Sequence, residues 1–199
     1  MKELEIRKHL DEKALEFLNL FDEPLKSKIE EKMYFAGGCI YCLNNDKQVK
    51  DYDIFLIDDS IIAELKELDL WSYISEYALT YGKFQVVIKY HGSPIVCVAE
   101  FDFKHNMYYY IPFSNCIESV NEEDIWNNFD EYEFLNSNEL VFNETRSRDV
   151  EGVYLRIEKF VNRGMTISKE TKKKIKKKTT KKKIRQYKKS RHHGNRNYY

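Results

Sequence analysis

The chain has 199 residues, 42% of them hydrophobic and 15% aromatic, enough to bury one core with a short extension. No run approaches the roughly 20 apolar residues that span a bilayer, and the start, Met1-Lys2-Glu3-Leu4-Glu5, has no apolar signal segment, so a soluble, cytoplasmic protein is expected and a membrane role is not. The formal net charge of zero hides a division: residues 169–199 hold 12 Lys, 3 Arg and one acid, Glu170, for +14, which leaves −14 on the other 168 residues.

In chain order, Leu4 to Leu20 has apolar residues near helical spacing. Pro24 suits the start of a second helix, Leu25 to Lys32. Met33 to Ala36 is a short apolar run ending in Gly37-Gly38, a strand followed by a tight turn, and Cys39 to Leu43 opens the next helix. Asp51 to Ile57 alternates like a strand. Ser60 is placed to cap a helix over Ile61 to Leu70. Tyr77 to Thr80 predicts a short strand, and Phe84 to Tyr90, Ile95 to Phe103 and Met107 to Ile111 predict three more. An acidic helix is expected over Glu122 to Phe134, a short strand over Glu139 to Phe142, and an amphipathic helix over Arg148 to Arg163 that Gly164 closes. Beyond Lys169 apolar content collapses and like charge repels itself, which predicts disorder in the unbound chain.

Four cysteines, Cys39, Cys42, Cys97 and Cys116, fit a reducing compartment. Cys39 and Cys42 form a C-x-x-C, but zinc needs a second ligand pair. Cys97 and Cys116 stand alone, and His91 and His105 are not spaced as a pair. The C-x-x-C reads as two small residues opening a helix.

The sharpest feature is Gly37-Gly38, twelve residues, then Asp51-Tyr52-Asp53-Ile54. Glycines at a strand end let a phosphate approach the main chain, and a helix opening at Cys39 would point its free N–H groups at that phosphate. Asp51 and Asp53, two apart on a strand, project from one face. Two adjacent carboxylates repel unless a divalent cation, Mg²⁺ or Mn²⁺, lies between them and nucleotide phosphates.

The stretch Phe35-Ala36-Gly37-Gly38-x12-Asp51-Tyr52-Asp53-Ile54-Phe55 resembles the signature of the nucleotidyltransferase superfamily, the group typified by DNA polymerase beta. It is also similar to small nucleotidyltransferase-like proteins of phage genomes. The likeness covers roughly Tyr34 to Tyr110. It implies a third carboxylate on a later strand, for which Phe101-Asp102-Phe103 matches better than Glu100. It also implies a catalytic and metal set of Asp51, Asp53 and Asp102, with Gly37, Gly38 and Cys39 around the NTP. Cys39 stands where many members carry Ser, and a thiol is a weak donor.

Other residues have double readings. Lys83, Lys89, Lys104, Arg156 and Lys159 suit a triphosphate or a solvated surface, and Tyr108-Tyr109-Tyr110 suits base stacking or core packing. In the tail, Lys172, Lys173, Lys174, Lys176, Lys177, Lys178, Lys181, Lys182, Lys183 and Arg185 form a clamp for RNA or DNA, or else a solubilising segment or a partner for the acidic body.

The expected fold is α/β (α+β): a short mixed sheet flanked by helices, with a disordered basic C-terminal tail. Residues 1–32 form a helical segment, 33–112 the nucleotidyltransferase-like core, 113–168 a mainly helical accessory region and 169–199 the polybasic tail. The expected function is metal-dependent transfer of an NMP from an NTP to a hydroxyl, with RNA, such as a tRNA 3′ end, as acceptor. Alternatives are NMP transfer to a protein or small molecule, an inactive nucleic-acid-binding phage protein (host-cytoplasmic or virion-associated), and a toxin restrained by a partner or antitoxin.

Overall fold

The computed structural model describes residues 2–119, 133–146 and 152–179. The order of elements is α1 (Lys2–Leu18), α2 (Leu25–Lys32), β1 (Met33–Ala36), α3 (Gly38–Asn44), β2 (Tyr52–Leu56), α4 (Asp59–Lys66), β3 (Tyr73–Ile74), β4 (Ala78–Tyr81), β5 (Phe84–Val87), α5 (Pro94–Val98), β6 (Tyr108–Tyr110), β7 (Glu118–Ser119), α6 (Glu133–Asn136) and α7 (Val153–Val161). A further helix covers residues 169–179.

The strands make one mixed sheet in the order β3-β4-β5-β2-β1-β6-β7. Only the β2–β5 pair is parallel; the others are antiparallel. The period of two decides which side each residue serves. Met33, Phe35, Tyr52, Ile54, Leu56, Phe84 and Val86 face the main core with Leu10, Phe17, Leu18 and Ile29 of the N-terminal helices. Tyr34, Ala36, Phe55 and Tyr109 face the other side, with Cys97 and Val98 of α5. Asp51 and Asp53 alternate with Tyr52, so they fall on that second side.

Burial of Ile6, Leu10, Ala14, Phe17 and Leu18 fixes α1, at roughly 1.5–3 kcal/mol for each large side chain removed from water. α4 begins earlier than its sequence suggested: Asp58, not Ser60, is the cap, its carboxylate accepting from the Ser60 amide at 2.9 Å.

Further expectations give way. Ile95 to Phe103 is not a strand: Pro94 opens the short helix α5 and the chain then bends. Proline lacks the N–H a ladder needs but suits a helix's first turn. The apolar run is split accordingly, with Ile95 and Val96 each 61% exposed and Cys97 and Val98 buried. The tail also joins the fold through residue 179. Ser168 Oγ accepts from the Thr171 amide at 3.1 Å, Ile175 is fully buried, and Lys178 Nζ donates to the Glu144 and Arg146 carbonyls at 2.8 and 2.5 Å. One apolar anchor, one cap and two carbonyl acceptors offset the like-charge repulsion.

Residues 139–142 form isolated bridges, Phe103 with Phe142 and Glu139 with Thr166, rather than a strand. Most of the expected acidic helix (122–132), the start of the Arg148 helix (148–151) and residues 180–199, with Lys181, Lys182, Lys183 and Arg185, lie outside the described residues.

Candidate active site

The site is built where β1 ends. Gly37 has φ +82°, a left-handed conformation that favours glycine, and its N–H donates to the Tyr108 carbonyl at 3.2 Å. A Cβ there would lie 3.4 Å from the Phe101 ring and 3.7 Å from Asp53 Oδ2. Gly37 therefore brings the β1–α3 turn directly against Asp53. Gly38, the first residue of α3, faces open space. Cys39 is buried and its thiol donates to the Ala36 carbonyl at 3.6 Å; burial, and next the Asp53 charge, push that thiol up, which leaves it an inert packing group.

Gly37, Gly38, Cys39, Asp51, Asp53 and Asp102 all line one cavity of about 610 Å³, within the range of small-molecule sites. Asp51 and Asp53 both line it, and the Asp51 charge acts on Asp53. Burial pushes the Asp53 carboxyl up to about 7, the neighbouring Asp51 adds to this, and Lys159 and Arg163 act against it. On β5, Gln85 is the residue paired with Asp53, so the adjacent strand offers an amide where a further carboxylate would extend the pair.

Among the described residues six cations line the same cavity: Lys47, Lys50, Arg146, Arg156, Lys159 and Arg163. Arg156, Lys159 and Arg163 recur at spacings of three and four, one face of α7 and its C-terminal turn. Lys47 Nζ also donates to Tyr41 Oη at 3.1 Å and Asn138 Oδ1 at 3.2 Å.

Asp102 is reached differently from its sequence expectation. It sits on a bend rather than a strand, and its carboxylate is ion-paired with both Arg146 and Arg156. Asn143 fixes the bend: its amide nitrogen donates to the Asp102 carbonyl at 2.9 Å, and its side chain donates to the Ala99 and Phe101 carbonyls at 2.7 and 3.0 Å. Among the described residues no group of three His, Cys, Asp or Glu is placed to hold a metal ion. The sequence reading missed Arg146, Asn143 and Arg163, as well as Lys47 and Lys50. The last two lie inside the twelve-residue spacer, and Arg163 continues the Arg156–Lys159 stripe; Arg146 and Asn143 carry no comparable signal.

Other proposed contacts fall elsewhere. Lys89 lies over the Tyr77 ring at 3.9 Å and Lys104 over Phe134 at 4.6 Å, and neither they nor Lys83 line the cavity. Tyr108, Tyr109 and Tyr110 are buried in the sheet, which favours core packing over base stacking. His105 is held between Tyr41 and Phe160, each ring 4.8 Å away; burial lowers it to about 3, so it is neutral. None of the four cysteines forms a disulfide. No helix among the described residues is long and apolar enough to cross a membrane.

Arrangement and sheet together define a nucleotidyltransferase-like fold. The chain is similar to a Thermotoga maritima CCA-adding enzyme solved in complex with tRNA, at TM-score 0.51 and 14% identity, covering 79% of this chain and 42% of that one. A CCA-adding enzyme solved with CTP gives TM-score 0.51 at 17% identity, covering 85% and 42%. The chain thus spans less than half the length of either enzyme, and at these identities the likeness is one of fold. The model of the Gabija anti-defense 2 family matches residues 8–131, more than half of the chain, and the chain belongs to that family. No curated protein sequence matches it.

Proposed function

We propose that the protein transfers an NMP from an NTP to a hydroxyl of a nucleic acid, with RNA the leading acceptor, and releases pyrophosphate. The observation that carries this reading is the Asp51–Asp53 pair set against Gly37 in a cavity ringed by cations. The donor chemistry fits a hard divalent ion: two carboxylates on one face, one of them reluctant to ionise because burial and its neighbour both oppose its charge. Asp51 and Asp53 would hold Mg²⁺ or Mn²⁺, which when bound supplies charge neutralisation at the phosphates.

The rest of the work belongs to the chain. Gly37 and Gly38 leave room for a phosphate to approach the main chain. Lys159 and Arg163, whose charges already act on Asp53, suit the polyphosphate. Phe55, Phe101 and Phe103 form an apolar wall that limits water. Catalysis of this kind is mostly positioning and electrostatics. The acceptor class rests on the basic extension: Lys172, Lys173, Lys176 and Lys177 are exposed on the helix at residues 169–179, and Lys181, Lys182, Lys183 and Arg185 follow in sequence.

A second reading has its own support. The family's name speaks of counteracting Gabija defence, and Asp102 is neutralised by two arginines. Both favour a catalytically retired fold that binds a protein or nucleic acid of that defence. Label transfer separates the two. Each α-³²P-labelled NTP is incubated with Mg²⁺ or Mn²⁺, total RNA and protein extract, beside an Asp51→Ala/Asp53→Ala control. Label entering RNA and lost in the control supports the transferase; label entering protein moves the acceptor class. No label, with salt-sensitive RNA binding intact, favours the retired fold.

A further inference from the structure

An in-line phosphoryl transfer puts the attacking hydroxyl opposite the leaving pyrophosphate. With the triphosphate against Gly37 and Gly38 at the end of β1, the acceptor has to reach Asp53 from across β2. The sheet order β3-β4-β5-β2-β1 puts β5, β4 and β3 on that side.

The strand registers define a row of side chains there. Asp53 pairs with Gln85, Gln85 with Thr80, and Thr80 with Tyr73. Cross-strand partners share a face. Val87, two residues from Gln85 on β5, lines the same cavity as Asp53, so the row lies on the cavity's side of the sheet. At about 4.8 Å per strand it runs about 14 Å from Asp53 to the sheet edge. Gln85 and Thr80 are half-buried, and Tyr73 at the edge is 65% exposed. Just past β5, Lys89 Nζ lies 3.9 Å from the centroid of the Tyr77 ring, which is 50% exposed, and meets Glu76 at 3.9 Å. Burial lowers the Arg156 guanidinium, and the Tyr90 and Tyr77 hydroxyls, near enough to act on it, oppose that shift. Tyr90 and Arg156 line the cavity, so Tyr77 adjoins its rim.

Two exposed tyrosines and a lysine, joined to Asp53 by an amide and a hydroxyl, match the chemistry of a single nucleic-acid strand. Ring faces stack on unpaired bases of any sequence, and the ammonium meets phosphate. We propose that Tyr73, Tyr77 and Lys89 receive the last nucleotides of a single-stranded RNA, whose terminal hydroxyl reaches Asp53 along the Thr80–Gln85 row. The direction of the strand rests on the transferase reading; the stacking surface does not. The basic extension holds the body of the strand by charge, and the tyrosines hold its end.

The test is photo-crosslinking to the full chain, in EDTA, of single-stranded RNAs that carry 4-thiouridine at the 3′-terminal, penultimate or third nucleotide, or far upstream. Crosslinked peptides are mapped by mass spectrometry. The penultimate and third nucleotides are expected on residues 73–77, and the upstream one on the basic extension. Tyr73→Ala and Tyr77→Ala should each remove those 3′ crosslinks and weaken binding of a short RNA roughly ten-fold, the scale of one stacked base. Ile74 is also exposed, but it pairs with the core residue Leu79 and so lies on the other face of β3; Ile74→Ala should change neither reading. Crosslinks of the 3′ end confined to the basic extension overturn the proposal, as does undiminished binding by the tyrosine variants or an equal loss in Ile74→Ala. If a tyrosine variant no longer melts cooperatively, Lys89→Gln decides alone: it must lower the slope of log affinity against log salt by about 0.7. The expected crosslinks without label transfer in the assay above sink the enzyme and leave the surface. Label transfer to RNA with its 3′ end crosslinked elsewhere does the reverse.

Discussion

Asp53 takes up a proton on folding over a definite range. Its carboxyl is raised from the ordinary 3.8 to about 7, first by burial and then by Asp51. Between those values the folded state binds more protons than the unfolded one, so the stability of the metal-free protein falls as pH rises from about 4 to 7 and stays low above. The span sets a ceiling of roughly 4 kcal/mol, which water in the open cavity reduces. Asp53→Asn is expected to melt about 2–6 °C above the unaltered protein at pH 8 in EDTA, and level with it at pH 4. A lower melting temperature for Asp53→Asn at pH 8 would refute the burial argument. The two glycines beside it separate in the same way. Gly37 has a positive φ, which strains any side chain there although a Cβ would meet Phe101 and Asp53 only at van der Waals contact, while Gly38 opens α3 in open space. Gly37→Ala is expected to lose about 1–2 kcal/mol in urea unfolding. Gly38→Ala should be neutral or gain up to about 1 kcal/mol, because alanine is the better helix residue. Equal losses at both positions would contradict this backbone reading.

The elements show which parts of a chain a local pattern can reveal. The helix at residues 169–179 depends on one apolar anchor, so Ile175→Ala should cost about 2–4 kcal/mol and open the segment to protease. Replacing the exposed Lys172, Lys173, Lys176 and Lys177 with Gln should each change stability by less than about 0.5 kcal/mol. An inert Ile175→Ala would mean that the helix does not dock. Composition alone pointed away from this helix, because lysine density conceals a single buried isoleucine whose partners lie elsewhere in the chain. The grouping of the candidate site was legible where its residues are local: Gly37, Gly38, Asp51 and Asp53 belong to one strand–turn–helix–strand unit, and their spacing anticipates that they line one cavity. It was not legible where closure is long-range. Arg146 and Asn143 reach Asp102 from forty residues away, a relation no periodicity records. The Ile95–Phe103 run was misread for a different reason: apolar β-branched residues suit strand and short helix alike, and Pro94 was the discriminating residue.

At the scale of the whole molecule the governing fact is the charge division, −14 over residues 1–168 and +14 over residues 169–199. Under the proposed function two partners would compete for that basic extension, a nucleic acid and the acidic body itself. The body already claims part of it: Lys174 pairs with Glu144 at 2.9 Å, and Lys178 donates to the Glu144 and Arg146 carbonyls. Salt distinguishes the two partners because it weakens both but in different observables. If the remaining basic residues are free to meet RNA, about eight phosphate contacts to a single strand give a slope near −6 for log affinity against log salt. Affinity then falls on one straight line from 50 to 200 mM. If the extension is first sequestered by the body, moderate salt releases it before it screens RNA, and affinity passes through a maximum. Residues 180–199 hold eight Lys and Arg and no acid, so deleting them should roughly halve the slope in the first case. In the second case the deletion should also abolish the maximum. Fluorescence anisotropy of a labelled single-stranded RNA across a salt series, on the full and shortened chains, measures both. A slope that the deletion leaves unchanged would place the contact on the body, with the cations of the cavity rim, Lys47, Lys50 and Arg163, as the groups to neutralise next.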